Sequence, residues 1–211
     1  MVFKAVFALT VLLVLGASAL VGGRFLGLID DSPETVVDAC ESLTSAQRKS
    51  LLGTKTPYVA SQPSRGAVRT TCRWTATEGD DATLVAVTSM SAGAWVVELA
   101  RDRASSGTDG PVDAARRDVM QRALELGTGA SDREACALAS KVFELDGAPS
   151  GAQLSVTFEA GRGKSSPRLV AEGCSAGTFT RIVAAAPDLR ASEPLERRAT
   201  QVLEQVQERL S

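Results

Sequence analysis

The stretch VRTTCRWTAT, residues 68–77, decides the fold. Val68, Thr70, Cys72, Trp74 and Ala76 share one side of a period-two ladder, while Arg69, Thr71, Arg73, Thr75 and Thr77 share the other. Successive side chains of a strand point to opposite faces, so the first set turns to a core and the second to water. A strand buried on one face only belongs in an antiparallel sheet, since parallel strands are apolar on both faces. EGDD, residues 78–81, reads as a turn, and TLVAVTSM, residues 83–90, returns as the second strand of a hairpin.

Helices are expected on either side of this hairpin. Upstream, Ser32 and Pro33 fit an N-cap and first helical residue, opening a helix through Val36, Val37 and Cys40. Thr44 and Gln47 match a capping box, and Gly53 stops the helical piece that contains Leu51 and Leu52. Residues 54–66, with two prolines, read as a loop. Downstream, residues 93–104 read as a helix with Trp95, Leu99 and Ala100 inward, and SSGTDGP, residues 105–111, as a break.

Pro111 then opens a helix whose stripe is Val112, Ala115, Val119, Ala123 and Leu126. Residues 134–146 fit a strand or a helix equally. Leu154, Val156 and Phe158 alternate as a strand, and further strand segments lie around Leu169–Cys174 and Phe179–Ala186. The final stretch places Leu195, Ala199, Val202, Leu203, Val206 and Leu210 on one helical face. Packing on its own sheet is the plain reading of that face, and a partner-binding helix is the other. The expected fold class is α+β: one or more antiparallel sheets packed by helices, after an N-terminal hydrophobic helix. The domain division is residues 1–29, a first half 30–110 with Cys40 and Cys72, and a second half 111–211 with Cys136 and Cys174. The halves read as related.

Residues 5–23, AVFALTVLLVLGASALVGG, carry no charge, and at about 1.5 Å rise per residue nearly span a hydrocarbon core of about 30 Å. Lys4 precedes them, and Asp30, Asp31 and Glu34 follow, so the positive-inside rule keeps the N-terminus cytoplasmic and exports the rest. A single-pass anchor in the cell membrane is expected. The alternative is secretion after cleavage of a signal peptide at Ala19, because Ala17-Ser18-Ala19 has the A-x-A form.

Outside the cytoplasm an even number of cysteines reads as disulfides. Four cysteines allow three pairings, of which Cys40–Cys72 with Cys136–Cys174 is preferred because each half then has its own bridge. No C-x-x-C occurs, which argues against a redox pair or a zinc ribbon. Cys72 is therefore expected to be structural.

Composition removes several function classes. All 25 acidic residues lie at or after Asp30, and without Lys4 and Arg24 the same region holds 21 of the 23 basic ones, for a net charge of −4. Nucleic acid, which needs a basic patch, is not an expected partner. Histidine is absent, so no Ser-His or Cys-His nucleophile pair and no imidazole ligand can form. GRGKS at 161–165 looks like the end of a phosphate-binding loop, but Phe158 stands where the motif needs glycine. No catalytic, cofactor or metal residue is assigned.

At Cys40 the text reads CESLTSAQRKSLLG, and CRW follows 32 residues later. A cysteine, a Leu-Thr pair, a helix ending in Leu-Gly and then Cys-x-Trp resembles an actinobacterial family of exported lipoproteins and single-pass membrane proteins of unknown function. The resemblance covers residues 33–91 and implies an extracytoplasmic α+β domain with disulfides, and no activity. This chain departs from the pattern by lacking a lipobox cysteine and by carrying a second cysteine unit. It is also similar, more weakly, to the extracellular sensor domains of mycobacterial receptor kinases, which use two disulfides. The functional expectation is a membrane-tethered binding or scaffolding protein of the cell envelope, recognising an envelope protein or a small ligand. The alternative is a small envelope hydrolase using a carboxylate pair.

Overall fold

The computed structural model describes residues 39–52, 59–60, 64–65, 69–78, 81–102, 111–161 and 165–210. The chain divides into two compact units, residues 1–35 and 36–211, and every described residue lies in the second. The hydrophobic segment 5–23, the Ser32-Pro33 helix start and Gly53 lie outside the described residues, as does the centre of GRGKS. Among the described residues no helix is long and apolar enough to cross a membrane.

The fold is α+β, with one antiparallel sheet of five long strands packed by helices. The strands are β1 (Arg69–Glu78), β2 (Asp81–Ser91), β3 (Leu154–Glu159), β4 (Arg168–Ser175) and β5 (Thr178–Ala185). Their order across the sheet is β1-β2-β5-β4-β3. Two short segments, Val59–Ala60 and Ser64–Arg65, pair with the outer edge of β1. The helices are α1 (Ala39–Ser42), α2 (Ser45–Leu52), α3 (Ala92–Asp102), α4 (Pro111–Leu126), α5 (Asp132–Leu145) and α6 (Glu193–Leu210).

Residues 30–110 and 111–211 do not build separate sheets. β2, from the first stretch, pairs with β5, from the second, along its length from Leu84↔Ala185 to Ser91↔Thr178. The helices interleave as well: α6 packs against α1 and α2, while α3 packs against α4 and α5.

The two faces of the sheet are covered differently. Opposed residues of an antiparallel pair point to the same side, so Cys72, Val87, Ile182 and Ala171 line one face, with Trp74, Val85, Ala184 and Leu169 in the next row. This first face, which carries Cys72, packs under α1, α2 and the apolar stripe of α6. All six stripe residues of α6 are buried. Full burial of a Val or Leu side chain is worth about 1.5–3 kcal/mol, so this one face accounts for the docking of the helix. Arg48 of α2 sits 4.5 Å over the Trp74 ring, closing the end of that layer.

Among the described residues, the helices that pack on the second face gather at one end of it. Met90, Phe179 and Cys174 there join a separate apolar cluster with α3, α4 and α5, centred on the fully buried Phe143. Residues 134–146, ambiguous by pattern, belong to α5. Ala135, Leu138, Ala139 and Phe143 are buried at helical spacing, and Ser131 with Glu134 forms a capping box. The reciprocal bond from the Ser131 backbone amide to the Glu134 carboxylate is 3.1 Å. The Thr44–Gln47 box is present too, with the Thr44 amide donating to Gln47 Oε1 at 2.8 Å.

The disulfides join Cys40 to Cys72 and Cys136 to Cys174, with Cα–Cα distances of 5.1 and 5.2 Å. The first ties α1 to the first face, and the second ties α5 to the second face.

Candidate functional site

The second face carries an unusual row. Reading across the sheet from β1, the register aligns Thr71, Thr88, Arg181, Glu172 and Ser155, one residue from each strand. On one side of it lies the row Arg69, Met90, Phe179 and Cys174, which runs under the helices; on the other lies Arg73, Ala86, Val183, Val170 and Thr157. A polar row thus crosses the five long strands next to the row that joins the helix-packed cluster.

α3 rises from the end of β2 beside this row. Ser91 Oγ accepts from the Ala94 amide at 3.2 Å, and the Gly177 carbonyl of the β4–β5 turn accepts from the Ala92 amide at 2.7 Å. These bonds satisfy amides of the first turn, which have no partner within the helix. They also fix the direction in which α3 leaves the sheet. Trp95 on its first turns stacks on Phe179, with ring centroids 4.8 Å apart and an angle of 17° between planes.

Between α3 and the row lies a cleft of about 370 Å³. Arg69, Glu98, Arg101, Glu172 and Arg181 supply its charge, and Trp95, Leu99 and Phe179 its apolar wall. The volume lies within the range of small-ligand sites, about 300–1,000 Å³. Arg69 Nη1 lies 3.2 Å from Glu98 Oε1, and Arg181 Nε lies 3.2 Å from Glu172 Oε1. The first pair is about half exposed and worth little to stability. The Glu172 side chain is only 21% exposed. Burial raises its carboxyl above the ordinary glutamate range, although the Arg181 guanidinium pulls in the opposite sense.

Other concavities are present among the described residues. One, about 760 Å³, lies toward the far end of the sheet and contains the ion pair of Glu159 with Arg168. A second, of about 750 Å³, surrounds the Cys136–Cys174 bridge and the β4–β5 turn. A third, about 320 Å³, lies between β3 and the start of α6. None of them contains a mostly buried acid with a raised carboxyl, and a perturbed group inside a cleft is the stronger pointer to function.

Cys72 and Cys174 are buried within the two clusters, and all four cysteines are bridged. Among the described residues no group of three or more His, Cys, Asp or Glu is placed to hold a metal. The pattern reading placed Arg69 on the outward face of β1 but did not reach Glu98, Glu172 or Arg181. The signal for the last two is a charge set in the middle of a strand segment, as in LVAEGC and TFTRIV. Comparison with protein-family models, curated proteins and solved structures found no match.

Proposed function

We propose that this protein is an extracytoplasmic binding or scaffolding module of the cell envelope, tethered by residues 5–23, whose recognition site is the cleft between α3 and the second face of the sheet. The observation that carries this reading is Glu172: a mostly buried acid, paired with Arg181, lining a cleft beside the apolar cluster that α3, α4 and α5 form on the second face. Such a group is costly to desolvate and gains from a partner that completes its contacts. The two disulfides support the extracytoplasmic placement. The resemblance of residues 33–91 to exported actinobacterial proteins points the same way.

Site-specific photo-crosslinking in intact cells tests the site. A crosslinker at Arg101, on the cleft rim, is expected to give a reproducible adduct, whereas one at Gln201, on the exposed side of α6, is not. Equal labelling from both positions, or none from Arg101, would remove the cleft as a docking site for a protein.

The hydrolase reading has one observation in its favour: Glu98 and Glu172 line the same cleft, and burial raises the Glu172 carboxyl above the ordinary range. A pair of carboxylates facing one cleft is the arrangement that glycoside cleavage uses. Turnover of glycoside substrates that disappears in both Glu98→Gln and Glu172→Gln would establish it.

A further inference from the structure

We infer that the cleft takes a small zwitterionic ligand carrying an α-ammonium and a carboxylate, of the size of a free amino acid or a short peptide end. This inference rests on the reading of the cleft as a binding site and adds the chemical class of its occupant.

The argument begins with charge arrangement. The residues that supply the cleft carry both signs: Glu172 pairs with Arg181 on the sheet, Glu98 of α3 pairs with Arg69 of β1, and Arg101 lines the same cleft. A ligand with only an anion would place it near Glu98 or Glu172, and one with only a cation would place it near an arginine. Inside a cleft the effective dielectric is lower than in water, so each such mismatch is penalised more than at an open surface. A molecule carrying both charges a few bonds apart can match both signs at once.

Side-chain chemistry then assigns the ends. A guanidinium has five donors in a planar fork suited to a carboxylate. The recorded contact of Arg181 with Glu172 is made through Nε, which leaves donor capacity for a ligand carboxylate. Glu172, mostly buried, accepts the ammonium. The balance between its burial and Arg181 already leaves its charged form disfavoured, and a second cation would shift that balance back. Leu99 and the part of the buried Trp95 that lines the cleft offer an apolar wall for the remainder of the molecule.

Size sets the limit. About 370 Å³ lies near the lower end for small-molecule sites. It suits a few-atom zwitterion better than a sugar chain or a folded partner.

The full-length chain in detergent micelles, with ¹⁵N-labelled tryptophan, provides the test. Trp95 lines the cleft and Trp74 lies buried on the other face, so two indole signals report site and fold separately. Titration with alanine or alanyl-alanine is expected to shift the Trp95 signal saturably below about 10 mM while Trp74 stays still. The N-acetylated and C-amidated dipeptide, acetate alone and methylammonium alone are each expected to bind at least about tenfold more weakly, a difference of about 1.4 kcal/mol. Glu172→Gln and Arg181→Gln should each reduce the zwitterion affinity by a similar factor with the Trp74 signal unchanged. Free amino acid and dipeptide together distinguish a single residue from a peptide end as the source. Saturable binding of the capped dipeptide with equal affinity would overturn the zwitterion while leaving the cleft as a binding site. Absence of any Trp95 shift, together with an Arg101 crosslink to a protein, would also overturn it and leave scaffolding. Absence of both would sink the cleft itself.

Discussion

Cys72 and Cys174 project from opposite faces of the same sheet, each buried in a different apolar cluster. The sheet is therefore held from both sides: α1 is bound covalently to one face and α5 to the other.

Loss of either bridge should be separable from loss of the other. Sequence separations of 32 and 38 residues correspond in the chain-entropy model to about 3.5–4 kcal/mol each. The pairs Cys40→Ala/Cys72→Ala and Cys136→Ala/Cys174→Ala should each lower unfolding free energy by a few kcal/mol. Because the bridges sit in different clusters, the effects should add. Urea unfolding of the two double variants and the quadruple variant measures this; strong non-additivity would mean that the two clusters unfold as one coupled element.

Glu172 gives the stability a specific pH dependence. Its folded carboxyl lies above the ordinary range, so the folded state holds a proton there more readily than the unfolded chain does. The unfavourable contribution of the ionised form is complete above the raised value and fades as pH falls from it toward the ordinary glutamate range. At neutral pH, Glu172→Gln should be no less stable than the parent, and the gap should close through that acidic window. Unfolding at stepped pH decides it. A variant less stable by more than about 1 kcal/mol would show that the ion pair with Arg181 outweighs burial.

The β4–β5 turn offers a stabilising substitution. Ala176 has φ +46° and Gly177 φ +78° in a two-residue hairpin loop between Ser175 and Thr178. Type I′ geometry requires both central residues in this region, where alanine is strained by about 1–2 kcal/mol and glycine is not. Ala176→Gly should raise the melting temperature or leave it unchanged after the added chain entropy is set against that relief. Gly177→Ala should lower it, since a Cβ there would lie 2.5 Å from the Asp132 carboxylate. Thermal melts in which Gly177→Ala falls below the parent while Ala176→Gly does not are expected; a lower melting temperature for Ala176→Gly would contradict the strain assigned to that turn.

The proposed tether through residues 5–23 can be checked by membrane fractionation. Under the anchor reading, the full chain stays with the membrane after alkaline carbonate extraction. Release, with a mature N-terminus at Leu20, would replace the anchor by a cleaved signal peptide.

The sequence announces local order far better than convergence. The first face is legible because period two in residues 68–77 and the α6 stripe each state a burial pattern within one element. α5 is not, because alanine, cysteine and leucine between 134 and 146 satisfy either period. The cap that settles it, Ser131 with Glu134, lies at the edge of that window. The strand order is also hidden, since the β2–β5 pairing depends on contacts between residues as far apart in sequence as Leu84 and Ala185. The cleft is hidden most deeply. Arg69, Glu98, Glu172 and Arg181 come from three strands and a helix, and only the charges set in the middle of strand segments mark two of them in advance.

The pairing of β2 with β5 has a consequence for how the protein comes into being. A chain delivered from its N-terminus forms the β1–β2 hairpin early, yet Val85 and Val87 stay open to water until Ala184 and Ile182 emerge to flank them. Contacts this distant in sequence make folding slow. The Cys40–Cys72 bridge, by contrast, needs nothing that comes later in the chain. Biogenesis should therefore pass through a half-oxidised species with an unpaired β2 edge, most exposed to proteases and to other nascent chains, and its lifetime is set by arrival of the last third of the polypeptide.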